Sequence, residues 1–166
     1  MAIDRNGKDF GECEKIVDLL IQKGIDIDLQ DNNKQTALMM AVEKKKYIVV
    51  EQLLERNAKT ELVNKEGKTA LQTAVEGNDV KAQALLIEYK ANVSEELQKK
   101  ILEGNEETLR VALAKNFIAK NNAALKEADY DYEKLFGGYN LGEESKKEIL
   151  TMLSNEKQTS GEDDYA

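Results

Sequence analysis

The sequence predicts an all-α repeat protein in which short helix pairs stack side by side and projecting hairpin loops join them. The first observation is a near-repeat, because residues 36–41 read Thr-Ala-Leu-Met-Met-Ala and residues 69–74 read Thr-Ala-Leu-Gln-Thr-Ala, 33 positions later. The second is that a short Ala/Leu-rich stretch in each unit precedes a longer stretch with apolar residues at helical spacing. A unit of this length cannot bury its apolar face alone, so it must stack on its neighbours.

The same 33-residue shift predicts the core and the helix ends. It superposes the paired apolar residues of three longer helices, which are Leu20-Ile21, Leu53-Leu54 and Leu86-Ile87. We expect the second and third of these pairs to be core. Thr36 and Thr69 precede the shorter helices, where a hydroxyl can accept a hydrogen bond from an amide of the first turn. Each helix pair is expected to break at Lys45 or at Gly77-Asn78.

The two ends of the repeat differ from its middle. Residues 1–11 give no recognisable first helix, and we expect Phe10 to cover the exposed face of a helix over residues 12–22. After residue 92 a helix starts directly, with Ser94 as its N-cap and acidic residues in its first turn. The predicted stack of three to four helix pairs therefore occupies residues 1–116, with units 1–33, 34–66, 67–93 and a degenerate cap 94–116.

Residues 117–166 fall outside the repeat. We predict a helical extension over residues 117–154, with helices at 117–128 and 143–153 joined by an irregular aromatic link at 130–139. Residues 155–166 are polar and acidic, which predicts a disordered tail. The extension has two interpretations, a cap on the end of the stack or a docking element for a partner or a second protomer.

Composition limits the class of protein. The chain has 166 residues, 41% of them hydrophobic, and a formal net charge of −8. Its single cysteine, Cys13, excludes an internal disulfide framework and fits a reducing compartment. No apolar run approaches the ~18 residues of a membrane helix, and because no apolar stretch follows the start we expect no ordinary secretory signal. We expect a monomer in the cytoplasm, or in a host cytosol after delivery by a route that the sequence does not reveal.

The residue types argue against catalysis and nucleic-acid binding. The chain contains no histidine, so Ser-His and Cys-His nucleophilic pairs and histidine-ligated metals are excluded. No Gly-rich phosphate loop is present. The basic run Lys44-Lys45-Lys46 follows Glu43 and is interpreted as a solvated helix end rather than a phosphate-binding patch. We expect no enzyme activity, no cofactor, no metal, no nucleic acid and no membrane partner.

Residues 24–38 carry a family resemblance. They read Gly-Ile-Asp-Ile-Asp-Leu-Gln-Asp-Asn-Asn-Lys-Gln-Thr-Ala-Leu, and residues 57–71 follow the same pattern less faithfully. In phase over about residues 12–92, this resembles the ankyrin repeat. The family's proline is replaced by Ala37 and Ala70, and its histidine by Met39 and Gln72. Because that proline presets the helix start, the departures imply modest stability.

The resemblance implies where a partner would bind. In ankyrin stacks the loop tips and the first helices form a concave surface that contacts other proteins. Few interface residues carry most of the binding energy, and tyrosine and arginine are enriched among them. By residue type, Tyr89 and Arg56 are therefore the best anchors. Matched position by position, the predicted surface comprises Gln30, Asn32, Asn33, Gln35, Glu43, Lys44, Arg56, Val63, Lys65, Glu66, Lys68, Glu76 and Tyr89.

The function that the resemblance implies is protein binding without catalysis. Ankyrin proteins are common among those that bacteria and intracellular pathogens deliver into hosts, so one version is an effector. A second interpretation is a small acidic inhibitor or antidote that occludes an enzyme's basic cleft. A third is a fragment of a longer ankyrin scaffold. The identity of the partner is left open.

Overall fold

A computed structural model describes residues 11–89, 91–127 and 131–158, except for the side chains of Cys13 and of residues 122, 126, 127 and 156–158. Phe10 lies outside these residues. Within the described ranges the chain is helical and contains no strand. It forms two compact units, residues 1–86 and 87–166. The helices are α1 Glu12–Gln22, α2 Ala37–Glu43, α3 Tyr47–Glu55, α4 Ala70–Glu76, α5 Val80–Glu88, α6 Glu95–Glu103, α7 Glu107–Glu127, α8 Tyr132–Phe136 and α9 Glu143–Gln158, with a 3₁₀ turn at Gly137–Tyr139.

The first unit contains the predicted helix pairs. Helix α2 packs against α3 and α4, and α1 packs against α3. Both predicted caps are confirmed, since the hydroxyl of Thr36 accepts from the Met39 amide and that of Thr69 from the Gln72 amide, each at 3.2 Å. Gln72 also accepts from the Thr69 amide at 2.8 Å, which completes a reciprocal capping box. Gln72, which replaces the family's histidine, therefore takes part in capping α4.

Backbone geometry repeats with the sequence. Lys45 and Asn78, 33 residues apart, both have positive φ where α2 and α4 end, which confirms the predicted breaks. Left-handed backbone ends a helix by turning the chain away from it. The other positive-φ residues of this unit form pairs at the same separation, Gly24 (77°) with Asn57 (60°) and Lys34 (56°) with Gly67 (75°).

The predicted core residues are buried. Leu53 and Leu54 expose 2% and 4% of their surface, and Leu86 and Ile87 are fully buried. At about 25 cal/mol per Å² of apolar surface removed from water, such side chains are a main source of folding free energy. The predicted burial of these four residues is therefore confirmed.

A buried carboxylate also connects successive pairs in the first unit. Asp79 is 7% exposed and precedes α5, where it accepts from the Ala82 amide at 3.1 Å. The Tyr47 hydroxyl donates to the same carboxylate at 3.0 Å, and the Lys81 ammonium lies 4.5 Å from the centre of the Tyr47 ring. Burial, followed by the hydrogen bond and charge of Asp79, raises the pKa of Tyr47 above its usual value. Tyr47 of α3 is thus joined to the start of α5 by a hydrogen bond and a cation–ring contact.

The second unit begins as predicted and then departs from the prediction. Ser94 caps α6, accepting from the Leu97 amide at 3.3 Å. The predicted boundary between residues 116 and 117 falls inside α7, which is continuous across it and bends at Asn121 (φ −111°, ψ 15°). Asparagine has a low propensity for the interior of a helix. Asn116 is nevertheless only 6% exposed, and its side-chain amide donates to the Ile87 carbonyl. That tertiary bond compensates for the poor propensity, so no helix end forms there.

The aromatic link is helical rather than irregular. It folds into α8 and the 3₁₀ turn because its rings pack together. Phe136 is 1% exposed, and its ring centre lies 5.5 Å from that of Phe117 in an edge-to-face arrangement and 5.3 Å from that of Tyr139. Aromatic pairs prefer such geometry, which adds to simple burial.

Helix α9 is longer than the sequence suggested. Residues 155–158, predicted to begin a disordered tail, continue this helix, and residues 159–166 lie outside the described residues. Ile149 and Leu153 are buried where α9 packs on α7. The Glu107 carboxylate accepts from the Ser145 hydroxyl at 2.7 Å and from the Gly142 amide at 2.8 Å, and these two hydrogen bonds lower the pKa of Glu107. These contacts hold the start of α9 on α7.

Candidate partner-binding surface

The loop before α2 is organised by one carboxylate. Asp31 accepts from the amides of Asn33 and Gln35, each at 2.8 Å. The Asp31 amide donates to the Gln35 carbonyl and the Lys34 amide donates to the Asp31 carbonyl, each at 2.9 Å. Aspartate and asparagine favour such turns because the side chain replaces a backbone acceptor. The loop is therefore closed by its own residues.

The loop before α4 has the same construction, 33 residues later. Asn64 takes the place of Asp31, and its side-chain oxygen accepts from the amides of Glu66 and Lys68 at 2.9 and 3.0 Å. The Asn64 amide donates to the Lys68 carbonyl and the Gly67 amide to the Asn64 carbonyl, each at 3.0 Å. A charged and a neutral side chain thus build the same turn, since both offer an oxygen acceptor.

The two loops are hydrogen-bonded to each other. The Lys65 amide donates to the Asn33 carbonyl at 3.0 Å, and the side chain of Gln30 donates to the carbonyls of Lys34 at 2.7 Å and Val63 at 2.9 Å. We call residues 30–35 and 63–68, with Glu43 and Glu76, the loop cluster. Because its backbone is fixed by these bonds, the cluster presents its tips in a defined relative position.

Each loop is also attached to the end of the helix that follows it. Gln35 donates to the Glu43 carboxylate at 2.7 Å, and at the equivalent positions the Lys68 ammonium lies 2.8 Å from Glu76. Lys68 lies 2.8 Å from Glu66 as well. The hydrogen bond and charge of Lys68 lower the pKa of Glu66, and the two carboxylates raise the pKa of Lys68. The second loop therefore carries charge where the first is neutral.

The tips of the loop cluster face solvent. Asn32, Asn33, Lys65 and Glu66 are exposed, and Val63 exposes 42% of its surface. Within the described part of the chain, no ion pair involves the Lys65 ammonium. Lys44 is exposed as well, one residue after α2, and follows Glu43 of the cluster. These side chains are accessible to another molecule while their backbone is held.

The two predicted anchors follow second helices of the repeats, Arg56 in the first unit and Tyr89 in the second. Arg56 ends α3, and its guanidinium lies 3.4 Å from the Asp18 carboxylate of α1. It therefore stands with the second helices of the repeats, not with the loops. Tyr89 follows α5 at the position equivalent to Arg56 and is half-buried. Choosing anchors by residue type overlooked that both follow a second helix, although the 33-residue register contained this information.

Sequence reasoning missed the contribution of Lys34. Its positive φ of 56° lets the loop turn back to α2, and Gly67 adopts φ 75° at the equivalent position. Glycine adopts a positive φ without strain, so a glycine in the sequence suggests such a turn. A lysine in the sequence does not. The alignment of Lys34 with Gly67 was the available signal.

The described residues offer neither a metal site nor a membrane-spanning helix. Among them, no group of three or more His, Cys, Asp or Glu side chains is arranged to hold a metal ion. None of the helices described here has the length and apolar character needed to cross a bilayer.

Comparison with known proteins agrees with the repeat geometry. A family model of three ankyrin repeats matches residues 8–96. An ankyrin repeat protein of Acanthamoeba polyphaga mimivirus is 44% identical over 52 residues, which are 31% of this chain and 13% of that relative. No solved structure matches the chain. Since the family model covers more than half of its residues, the chain belongs to the ankyrin-repeat family.

Proposed function

We propose that the chain binds a partner protein through the loop cluster, without catalysing a reaction. Proteins of this family are generally protein-interaction modules, and the family is generally non-catalytic. The observation that carries the proposal is the pair of bonds from Lys65 to Asn33 and from Gln30 to Val63, which join the two loops.

Fixed loops favour binding for a thermodynamic reason. Association costs the conformational freedom of every segment that must become ordered at the interface. In the loop cluster, Asp31 and Asn64 already close the turns. Contacts made by exposed tips such as Asn32 and Lys65 would then contribute to affinity with little loss from ordering the loops.

The charge of the loop cluster favours a partner surface of mixed polarity. Four acidic groups and three lysines lie on it: Asp31, Glu43, Glu66, Glu76, Lys34, Lys65 and Lys68. With Lys44 beside Glu43 the two signs are equal in number. Complementary charges of this kind set specificity and register more than raw affinity. A strongly basic cleft, which the inhibitor interpretation requires, would gain little from so balanced a surface.

The test compares two charge swaps that preserve net charge. The full chain is used to capture partners from its native cell, and the affinity of a captured protein is then measured for Lys65→Glu/Glu66→Lys. We expect a loss of at least about tenfold, which corresponds to about 1.4 kcal/mol. The matched control is Lys99→Glu/Glu103→Lys, an exposed pair on α6 whose charges lie 3.9 Å apart.

The outcomes separate the loop cluster from the rest of the chain. If the control swap leaves affinity unchanged and the loop swap lowers it, the proposal is supported. If the loop swap has no effect while removal of residues 117–166 abolishes binding, the extension carries the contact instead. The identity of the captured protein distinguishes the three interpretations. A host protein indicates an effector, an enzyme indicates an inhibitor, and another protein of the same cell indicates a scaffold fragment.

A further inference from the structure

Helix α1 leaves apolar side chains in water that the next repeat buries. Leu20 is 45% exposed, whereas Leu53, its equivalent on α3, is 2% exposed. Exposed apolar side chains scattered singly are ordinary, but a contiguous set marks an interaction site. Beside α1 this set forms a groove.

The groove has the size and lining of a binding site. Its volume is about 390 Å³, and it runs between α1, the following loop and the first turn of α2. Acidic side chains, Asp26 and Asp31, also line it, and the lining contains no lysine or arginine. The apolar side chains that line it include Val17, Leu20, Ile21, Ile25, Leu29 and Met40.

The neighbouring repeat indicates what fits this groove. On α3 the equivalent place is filled by α2, whose Leu38, Ala41 and Val42 are buried at 1%, 6% and 3% exposure. These positions have the spacing i, i+3, i+4, which places them on one face of a helix. Among the described residues, no helix stands in the same position on α1.

The chain's own preceding sequence does not carry this pattern. Counting back 33 residues from Leu38, Ala41 and Val42 gives Arg5, Lys8 and Asp9. All three are charged, and burying an unpaired charge against leucine side chains is costly. In this register, residues 5–9 therefore do not offer the apolar face that α2 offers to α3.

Charge favours a basic partner over a second copy of this chain. Residues 11–31 contain six carboxylates and two lysines. A symmetric dimer through α1 would bring two such acidic segments together, and like charges across an interface are unfavourable. A helix with lysine or arginine beside its apolar face would instead be attracted to this segment.

We propose that the groove beside α1 binds a short amphipathic helix of a partner protein, with apolar residues at i, i+3 and i+4 and a basic flank. The helix takes the place on α1 that α2 takes on α3. The groove shares Gln30, Asp31 and Gln35 with the loop cluster and extends from there along α1, so the two surfaces are adjacent.

A labelled peptide tests the proposal on the full chain. The probe is a fluorescein-labelled peptide with the sequence of residues 36–46, which carries the apolar spacing of α2 and ends in three lysines. Its anisotropy is expected to rise saturably on titration with the protein, and to rise less at high salt because salt screens the charges. A peptide with serine in place of Leu38 and Val42 should not bind.

Matched protein variants locate the contact. Leu20→Gln/Met40→Gln replaces side chains that line the groove and are 45% and 40% exposed, and should weaken peptide binding at least about tenfold. Ile16→Gln/Leu19→Gln is the control, since these residues are 57% and 54% exposed on α1 but do not line the groove. Urea unfolding of both variants checks that each remains folded.

Three results would overturn the proposal. The first is absence of binding by the unmodified chain, or an equal loss in both variants. The second is tighter peptide binding by Phe10→Ser, because the chain's own terminus would then occupy the groove. The third is concentration-dependent dimerisation that Leu20→Gln/Met40→Gln abolishes, because a second copy would then be the occupant.

Discussion

Helices α1 and α3 occupy equivalent positions in successive repeats but differ in burial. Ile16 is 57% exposed, whereas Val49 at the same position of the next repeat is 9% exposed. Ile25, just after α1, is 48% exposed and its equivalent Ala58 is 7% exposed. The apolar pattern that forms both helices is the same, so the difference arises from the neighbours that cover α3. In a repeat protein, stability is contributed by interfaces between units as well as by the units themselves.

The largest expected effect comes from replacing the equivalent leucines, Leu53 and Leu20, by alanine. Leu53→Ala should lower the free energy of unfolding by about 2–5 kcal/mol, because it opens a cavity in a closed core. Leu20→Ala should cost no more than about 1 kcal/mol, since 45% of that side chain already faces water. Urea unfolding followed by circular dichroism measures both. Similar losses in the two variants would show that α1 is as well covered as α3.

A smaller effect is expected from the cap of α2, the helix that covers α3. Thr36→Ala removes the hydroxyl that accepts from the Met39 amide and should lower the unfolding free energy by about 1 kcal/mol. Thr36→Ser retains the acceptor and serves as the control. A loss in the serine variant as large as in the alanine variant would assign the effect to packing of the methyl group.

The equivalent change at α1 adds a cap that is missing. Gly11 precedes α1 and supplies no side-chain cap, while Glu14 lies three residues later. Gly11→Ser creates the pattern of a capping box and should raise the unfolding free energy by a few tenths of a kcal/mol. The second variant, Gly11→Ser/Glu14→Ala, should lose part of this gain. A Cβ at residue 11 would lie 2.5 Å from Glu14 Oε2, so this side chain must move; a fall in stability with Gly11→Ser would show that the capping box does not form.

The smallest expected effect is a difference between the two loops in how they make the unfolding free energy depend on pH. Lys68 lowers the pKa of Glu66 below 4.5, so the stabilisation is complete above that value and is lost as pH falls through the lower folded pKa. Lys68→Gln should flatten this part of the pH dependence of unfolding between about pH 6 and about pH 3. Gln35 is neutral at the equivalent position, so Gln35→Ala should leave the acid dependence unchanged. If Lys68→Gln leaves it unchanged too, the ion pair does not contribute to stability.

The repeat could be predicted from the sequence because its signals are local and recur in phase. The 33-residue period located the caps at Thr36 and Thr69 and the buried residues of α3 and α5. Failures came where long-range contacts overrode local preference. Asn116 is a poor helix former, yet its bond to the Ile87 carbonyl keeps α7 continuous.

The candidate surface was only partly predictable. Turn residues at the loops were recognisable, and the loop cluster includes most of the residues named from the family pattern. The bonds that join the loops, such as Lys65 to Asn33, depend on the spacing of two repeats in three dimensions. Exposure at Leu20 was equally hidden, since its sequence context matches that of Leu53. Counting back 33 residues from the buried face of α2 gives Arg5, Lys8 and Asp9, so the sequence does not repeat that apolar face before α1.

Native-state amide hydrogen exchange tests the central comparison most directly. Amides that open locally exchange with a lower free energy than those that need global unfolding. The amides of α3, at Tyr47–Glu55, should exchange with nearly the full unfolding free energy, and those of α1, at Glu12–Gln22, well below it. Equal protection of the two helices would contradict the open first repeat and the groove beside it.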